Sequence, residues 1–280
     1  MNDLGGTPSE RLDRALRAVQ DHFPFPGYMD RPDVYREVAR TVERHLPAGS
    51  RILDFGSGPC DKTAVLQRLG YRCTACDDLQ DDWHRTRRDT ITDFARAEGI
   101  DFQVVNHDLP FSADSFDMVM MHDVLEHLVE SPRELLTRLI TLLRDGGLLY
   151  ITVPNAGNVR KRLALLMGGT NLPDFAYYYW LPGPWRGHMR EYVRGDLVKL
   201  AQFLGLRVLE LRSCHQMLVN LPPMIRPLYR MVTRVFPGWR DSWLVVAERP
   251  RGWQAPHLDQ AEIARVRATV LGRVHTPTPE

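Results

Sequence analysis

An excess of charge of either sign is missing from this chain. Lys and Arg number 36 against 35 Asp and Glu, for a formal net charge of +1. No global field favours nucleic acid, so none is expected as a partner, and any basic site must be local. Long apolar runs are missing too, since none approaches the roughly 20 residues of a membrane-spanning helix. The first ten residues are polar and glycine-containing, without the apolar stretch of a secretory signal. That sets the expectation of a cytoplasmic protein. Cysteine is scarce, at four residues, and these are expected to be reduced thiols. Cys73 and Cys76 form a lone C-x-x-C, but no second pair or H-x-x-x-H complements it, and both lie inside a predicted strand. No ligand cluster suggests a metal.

The chain is 44% hydrophobic and 25% charged over 280 residues, enough to fill one α/β domain with extensions. Leu12, Leu16 and Val19 recur at helical spacing, as do Val34, Val38, Val42 and Leu46, and predict two opening helices. Phe23-Pro24-Phe25-Pro26-Gly27 between them reads as a connector. Strands are then predicted over residues 52–55, 71–76, 102–105, 116–121 and 148–153, alternating with helices over 61–69, 90–98 and 133–143. Gly146-Gly147 is expected to close the last of these helices. Such alternation predicts a parallel, doubly wound sheet. From residue 154 the rhythm breaks into Pro, Gly and aromatics, including Tyr177-Tyr178-Tyr179-Trp180 and Trp185, which marks a lid or substrate-binding insertion. A helix over 196–204 and strands near 208–211 and 244–247 complete the sheet, and a further helix is expected over 263–270. The resulting division is an N-terminal helical segment at 1–50, an α/β domain at 51–249 with insertions at 154–193 and 214–241, and a tail at 250–280.

The strongest chemical signal is Leu53-Asp54-Phe55-Gly56-Ser57-Gly58-Pro59. A strand that ends in D-x-G-x-G and feeds a helix brings backbone close to a ligand at the strand's carboxyl end. Asp77 follows Gly58 by 19 residues, where a carboxylate can accept both ribose hydroxyl protons. Asp77 and its neighbour Asp78 could equally cap a turn or helix. A dinucleotide dehydrogenase is the first rival, but Asp61 stands where its fingerprint needs a third glycine. Asp54 and Asp61 are also poor neighbours for a diphosphate and good ones for a sulfonium and an α-ammonium.

These residues, together with Asp108-Leu109-Pro110-Phe111, residues 115–119, Asp123-Val124-Leu125-Glu126-His127, residues 144–147 and His188-Met189-Arg190-Glu191-Tyr192, resemble the class I S-adenosylmethionine-dependent methyltransferases. The resemblance lies in the branch that includes ubiquinone-biosynthesis and sugar O-methyltransferases. It implies a Rossmann-like seven-stranded sheet whose last strand is antiparallel, with S-adenosyl-L-methionine as cofactor. By position it also implies that Asp54 and the backbone of Gly56, Ser57 and Gly58 hold the methionine part, and Asp77 the ribose. Asp108 and Leu109 would frame the adenine, with Asn106 as a substitute for Asp108.

His122, His127 and His188 compete as the general base, because histidine titrates near neutral pH. Each could instead be a cap or a satisfied core residue, and Arg190 with Glu191 could be an ion pair holding the lid. The expected reaction is methyl transfer to a small, glycan-linked or lipid-linked acceptor, on oxygen. The alternative is a catalytically silent protein that binds the cofactor or a partner. In the second insertion Ile225, Leu228, Val232 and Val235 alternate with Arg226, Arg230 and Arg234 on a helix starting near Pro227. Tyr229, Phe236 and Trp239 are expected at its margins. One reading packs its apolar face on the sheet. The other joins it to Arg160, Lys161 and Arg162 as a basic mouth for an anionic bilayer or a phosphorylated lipid-linked acceptor.

Overall fold

The computed structural model describes residues 6–106, 108–181, 183–216, 221–257 and 259–274. Parts of the expected N-terminal segment (1–5), second insertion (217–220) and tail (275–280) lie outside the described residues. Strands β1 (Arg51–Phe55), β2 (Arg72–Asp77), β3 (Asp101–Val104), β4 (Phe116–His122), β5 (Leu143–Pro154), β6 (Arg207–Cys214) and β7 (Ser242–Glu248) form one sheet in the order β3-β2-β1-β4-β5-β7-β6. The first five run parallel, and β7 is antiparallel to both of its neighbours. This is the expected Rossmann-like α/β sheet.

Alternation along the buried strands sends side chains to two cores. On one face Ile52, Met118, Met120 and Tyr150 meet α1 (Pro8–Gln20), α2 (Pro32–His45) and α3 (Asp61–Arg68). Thr7 caps α1 in a capping box with Glu10, and Leu12, Leu16 and Val19 supply its buried stripe. After α4 (Asp82–Arg85), α5 (Arg88–Ala97) adds Phe94 and Ala95 to this face. The connector docks there as well, with Phe23 edge-on to Phe94 at 5.0 Å. On the opposite face Leu53, Val119 and Ile151 meet α6 (Pro132–Leu142) and, further along, α9 (Arg194–Phe203). Cys73 falls in the first core and Cys76 in the second, so the C-x-x-C cannot close on one ligand.

Two expectations fail. Gly146 does not cap a helix: α6 ends at Leu142 and Leu143 is already extended. Gly146, at φ +75°, sits in the irregular start of β5, where its N–H donates to the Arg249 carbonyl. The lid carries α7 (Val159–Leu166) and α8 (Phe175–Trp180), and the second insertion carries α10 (Arg226–Val235), ahead of a last helix, α11 (Gln260–Val274). α10 does not pack its apolar stripe on the sheet. Tyr229 and Thr233 face inward, while Leu228 is 56% and Val235 66% exposed. Tyr229, expected at the margin, is the buried anchor, and its hydroxyl donates to Asp241 Oδ2 at 3.3 Å. Hydrogen-bonding capacity, rather than hydrophobicity, chose the inward face.

Candidate active site

The turn after β1 is built for close approach. Gly56 and Gly58 take positive φ, +71° and +53°, and the N–H groups of Gly56 and Ser57 both donate to the Cys76 carbonyl. A Cβ on Gly56 would stand 2.4 Å from Val124 Cγ2, so only glycine fits. Asp77, at the end of β2, accepts from Gly58 N at 2.8 Å and Leu79 N at 2.7 Å. Each oxygen keeps a further lone pair. Asp54 is buried, and its Oδ2 accepts from Thr63 Oγ1 at 2.6 Å. Its buried Oδ1 has no partner among the described residues, and burial pushes the carboxyl up to about 7. Asp61 is differently placed from the sequence reading: Tyr35 OH donates to it at 2.8 Å and Lys62 Nζ lies 3.6 Å away. Asp54 is therefore the open acceptor of the two. His84, from α4, faces the loop, and its Nε2 would lie 3.1 Å from a Cβ on Gly58. Asp78 pairs with Arg186 of the lid at 3.0 Å. Asp108 and Asn106 are exposed after β3, while Leu109 is half-buried against the second core.

A second cluster follows β4, across Val124 from the glycine loop. Asp123 takes φ +55°, which turns the chain into a 3-10 turn over Leu125–His127. Glu126 is 0% exposed, and neither of its carboxyl oxygens has a hydrogen-bond partner among the described residues. Burial, reinforced by Asp123, pushes this carboxyl up to about 9. The Glu126 carbonyl accepts from Met189 N at 2.7 Å and Arg190 N at 3.3 Å, which brings the H-x-R-E-Y segment onto the turn. His127 and His188 consequently meet edge to face, with ring centroids 4.9 Å apart. Each Nε2 is 4.0 Å from Glu126 Oε1. His188 Nδ1 donates to Glu191 Oε1 at 2.9 Å, and Lys161 binds the other oxygen of Glu191. Burial opposes the charge on Glu191, but His188 and Lys161 outweigh it and hold the carboxyl below its usual range. His122 stands apart from the pair. It is buried against Tyr150, its Nδ1 lies 3.1 Å from Thr152 Oγ1, and burial lowers its pKa far below the usual value.

Residues 29–211 match the family model of a methyltransferase domain. The chain belongs to that family. It is 33% identical over 127 residues to the demethylmenaquinone methyltransferase of Clavibacter sepedonicus, an alignment covering 43% of this chain and 49% of the relative. It is 24% identical over 171 residues to the ubiquinone biosynthesis O-methyltransferase of Aeromonas salmonicida, covering 60% and 67%. The chain thus spans about half the length of the first relative and about two thirds of the second. Among solved structures, a SAM-dependent methyltransferase from Archaeoglobus fulgidus superposes with a TM-score of 0.52 at 16% identity, covering 78% of this chain and 94% of the other. The fold is that of a class I S-adenosylmethionine-dependent methyltransferase. The loop fits that cofactor in two respects, an open Asp54 oxygen for a cationic donor and a glycine turn free of Cβ.

Within this methyltransferase domain, two pairings differ from expectation. Arg190 does not bind Glu191 but reaches Asp196 at 3.4 Å, because Glu191 is turned inward to His188. Lys161 follows Glu191 inward and so leaves the basic rim. Sequence reasoning quoted Glu126 without a role and passed over His84 and Arg186. The available signal for Glu126 was a carboxylate set into the apolar run Val124-Leu125-Glu126-His127-Leu128.

Proposed function

We propose that this chain transfers the methyl group of S-adenosylmethionine to a hydroxyl oxygen of a lipid-linked or other small acceptor. The observation that carries it is the seating of Val124 on Gly56, which sets the Glu126–His127–His188 cluster beside the glycine loop. In this reading Asp54 Oδ1 accepts from the α-ammonium, Asp77 and Asp78 line the ribose side, and Asp108 with Leu109 flanks the adenine. The acceptor oxygen forms the new C–O bond as the C–S bond breaks, with its electron pair left on sulfur. The sulfonium is already a strong electrophile, so the protein supplies alignment and activation of the hydroxyl. An O-methyltransferase of ubiquinone biosynthesis among the relatives supports oxygen as nucleophile. The test is release of S-adenosylhomocysteine on addition of a cell extract, with the product one methyl heavier by mass. Cofactor binding with no turnover on any extract fraction would favour the silent binding protein instead.

A membrane surface is the favoured source of the acceptor. No helix among the described residues is long and apolar enough to cross a bilayer. The outer face of α10 nevertheless exposes Leu228, Met231 and Val235, Met224 is exposed just before it, and the lid exposes Leu166, Phe175 and Trp180. Arg162 of the lid lies over the Trp239 ring at 5.7 Å, so the two insertions adjoin. Apolar side chains flanked by Arg160, Arg162, Arg230 and Arg234 suit an anionic interface. At low salt the chain is expected to co-sediment with anionic vesicles and to be released at high salt. Neutral vesicles should retain little of it, and an Arg230→Glu/Arg234→Glu variant should bind anionic ones several-fold less. Equal binding by that variant would rule out surface association through α10.

A further inference from the structure

Two imidazole nitrogens and a buried carboxyl converge beneath the lid. His127 donates its Nδ1–H to the Arg186 carbonyl at 2.7 Å, and His188 donates its own to Glu191 at 2.9 Å. A neutral imidazole carries one N–H, so each ring turns a bare Nε2 inward. Both nitrogens face the buried, unpaired carboxyl of Glu126, and the candidate ligand atoms of the three residues lie within 4.8 Å of one another. A buried carboxyl without a partner, faced by two half-exposed imidazole nitrogens, is costly unless a proton or a metal ion is shared among them.

We propose that Glu126, His127 and His188 bind a divalent transition-metal ion, with a coordination position left open for the acceptor oxygen. Two imidazoles and a carboxylate suit zinc, iron(II) or manganese(II) better than calcium or magnesium, which prefer all-oxygen sets. The outer partners are in place. Glu191, itself held by Lys161, orients His188, and the Arg186 carbonyl orients His127, as metal-bound imidazoles require. Asp123 is a further carboxylate close enough to interact electrostatically with both histidines. A tetrahedral set with bonds of roughly 2.1 Å spans roughly 3.4 Å between ligand atoms. The separations, 4.0 Å from Glu126 Oε1 to each Nε2 and within 4.8 Å across the set, are close enough for side-chain adjustment to reach that span. The sequence showed no such cluster because its members come from two segments brought together in the fold, by the backbone bonds of Met189 and Arg190 to Glu126 and by the bond of His127 to the Arg186 carbonyl.

The role of the open position rests on the methyl-transfer reading, whereas the ion site does not. An ion there polarises the acceptor hydroxyl, whose proton leaves to solvent while its oxygen takes the methyl carbon. The C–S pair stays on sulfur, so no oxidant or reductant enters.

Tag-free protein, treated with chelator and desalted, is titrated with Zn²⁺ by calorimetry and with Co²⁺ as a visible-absorption probe. S-adenosylmethionine binding is measured on the same samples. One ion per chain at micromolar affinity or tighter is expected, with Co²⁺ bands typical of low coordination number. Glu126→Gln and His188→Asn should each weaken binding by more than the roughly 10–100-fold expected of the outer variant Glu191→Gln. Wild-type binding no tighter than millimolar, or Glu126→Gln binding like wild type, overturns the site. If Glu126→Gln does not fold, His188→Asn decides, since His188 is only partly buried. Cofactor binding without ion binding defeats this inference alone, and ion binding without cofactor binding defeats the methyl-transfer reading alone.

Discussion

A Gly56→Val protein is expected to lose most of its affinity for S-adenosylmethionine. Two effects add at this position. Valine is β-branched and disfavours the φ of +71° that Gly56 adopts, a strain of roughly 1–2 kcal/mol. Its Cβ would also stand 2.4 Å from Val124 Cγ2, and relieving such overpacking costs roughly 1–3 kcal/mol. A combined loss of roughly 2–5 kcal/mol, expressed at the cofactor site, weakens binding about 30- to 5000-fold. Gly49→Val separates the two effects, because Gly49 has φ +86° with nothing within 4 Å of its would-be Cβ. It should cost stability and leave affinity alone. Asp77→Ala, which frees the Gly58 and Leu79 N–H groups as well as removing an acceptor, should lose roughly 1–3 kcal/mol of cofactor binding. Calorimetry on folded protein checks all three. Unchanged affinity in Gly56→Val would sink the placement of the cofactor on this loop, and tight nicotinamide binding would revive the dehydrogenase.

His188→Ala should leave that affinity near wild type and lower turnover about 10²–10⁴-fold. The ring binds Glu191 and packs on His127, so binding of the donor and activation of the acceptor are expected to separate at this residue. His127→Ala should behave similarly, because the two rings pack on each other and on Glu126. His122→Ala should instead act on stability, by opening a gap beside Tyr150 in the core. Steady-state kinetics with cofactor titration ranks the three. Near-normal turnover in His188→Ala would move acceptor activation elsewhere.

Most of the sheet was legible because its strands are short apolar runs between turn residues, and the Asp54–Gly58 loop was legible because its members are neighbours in sequence. The acceptor-side cluster was not, since Glu126 and His188 are separated by α6, β5, two lid helices and the turns between them. Periodicity also could not choose between the two readings of α10. A moment identifies an apolar face but not its neighbour, and here the Tyr229 hydroxyl and Thr233 turned the helix the other way. Gly146-Gly147 misled for a related reason. Glycine signals a positive φ without saying whether a helix end or an irregular strand needs it.

Arg186 touches both halves of the molecule's business at once. Its guanidinium holds Asp78, on the proposed ribose side, and its carbonyl holds His127, on the proposed acceptor side. If donor and acceptor bind as proposed, their two sites are linked through this one residue, and any coupling between them must be felt equally from either side. The fastening is also weak, because an ion pair this exposed contributes only about 0–1 kcal/mol. A cover secured so lightly can close over each substrate and still let go of each product, so departure need not limit the rate of the cycle.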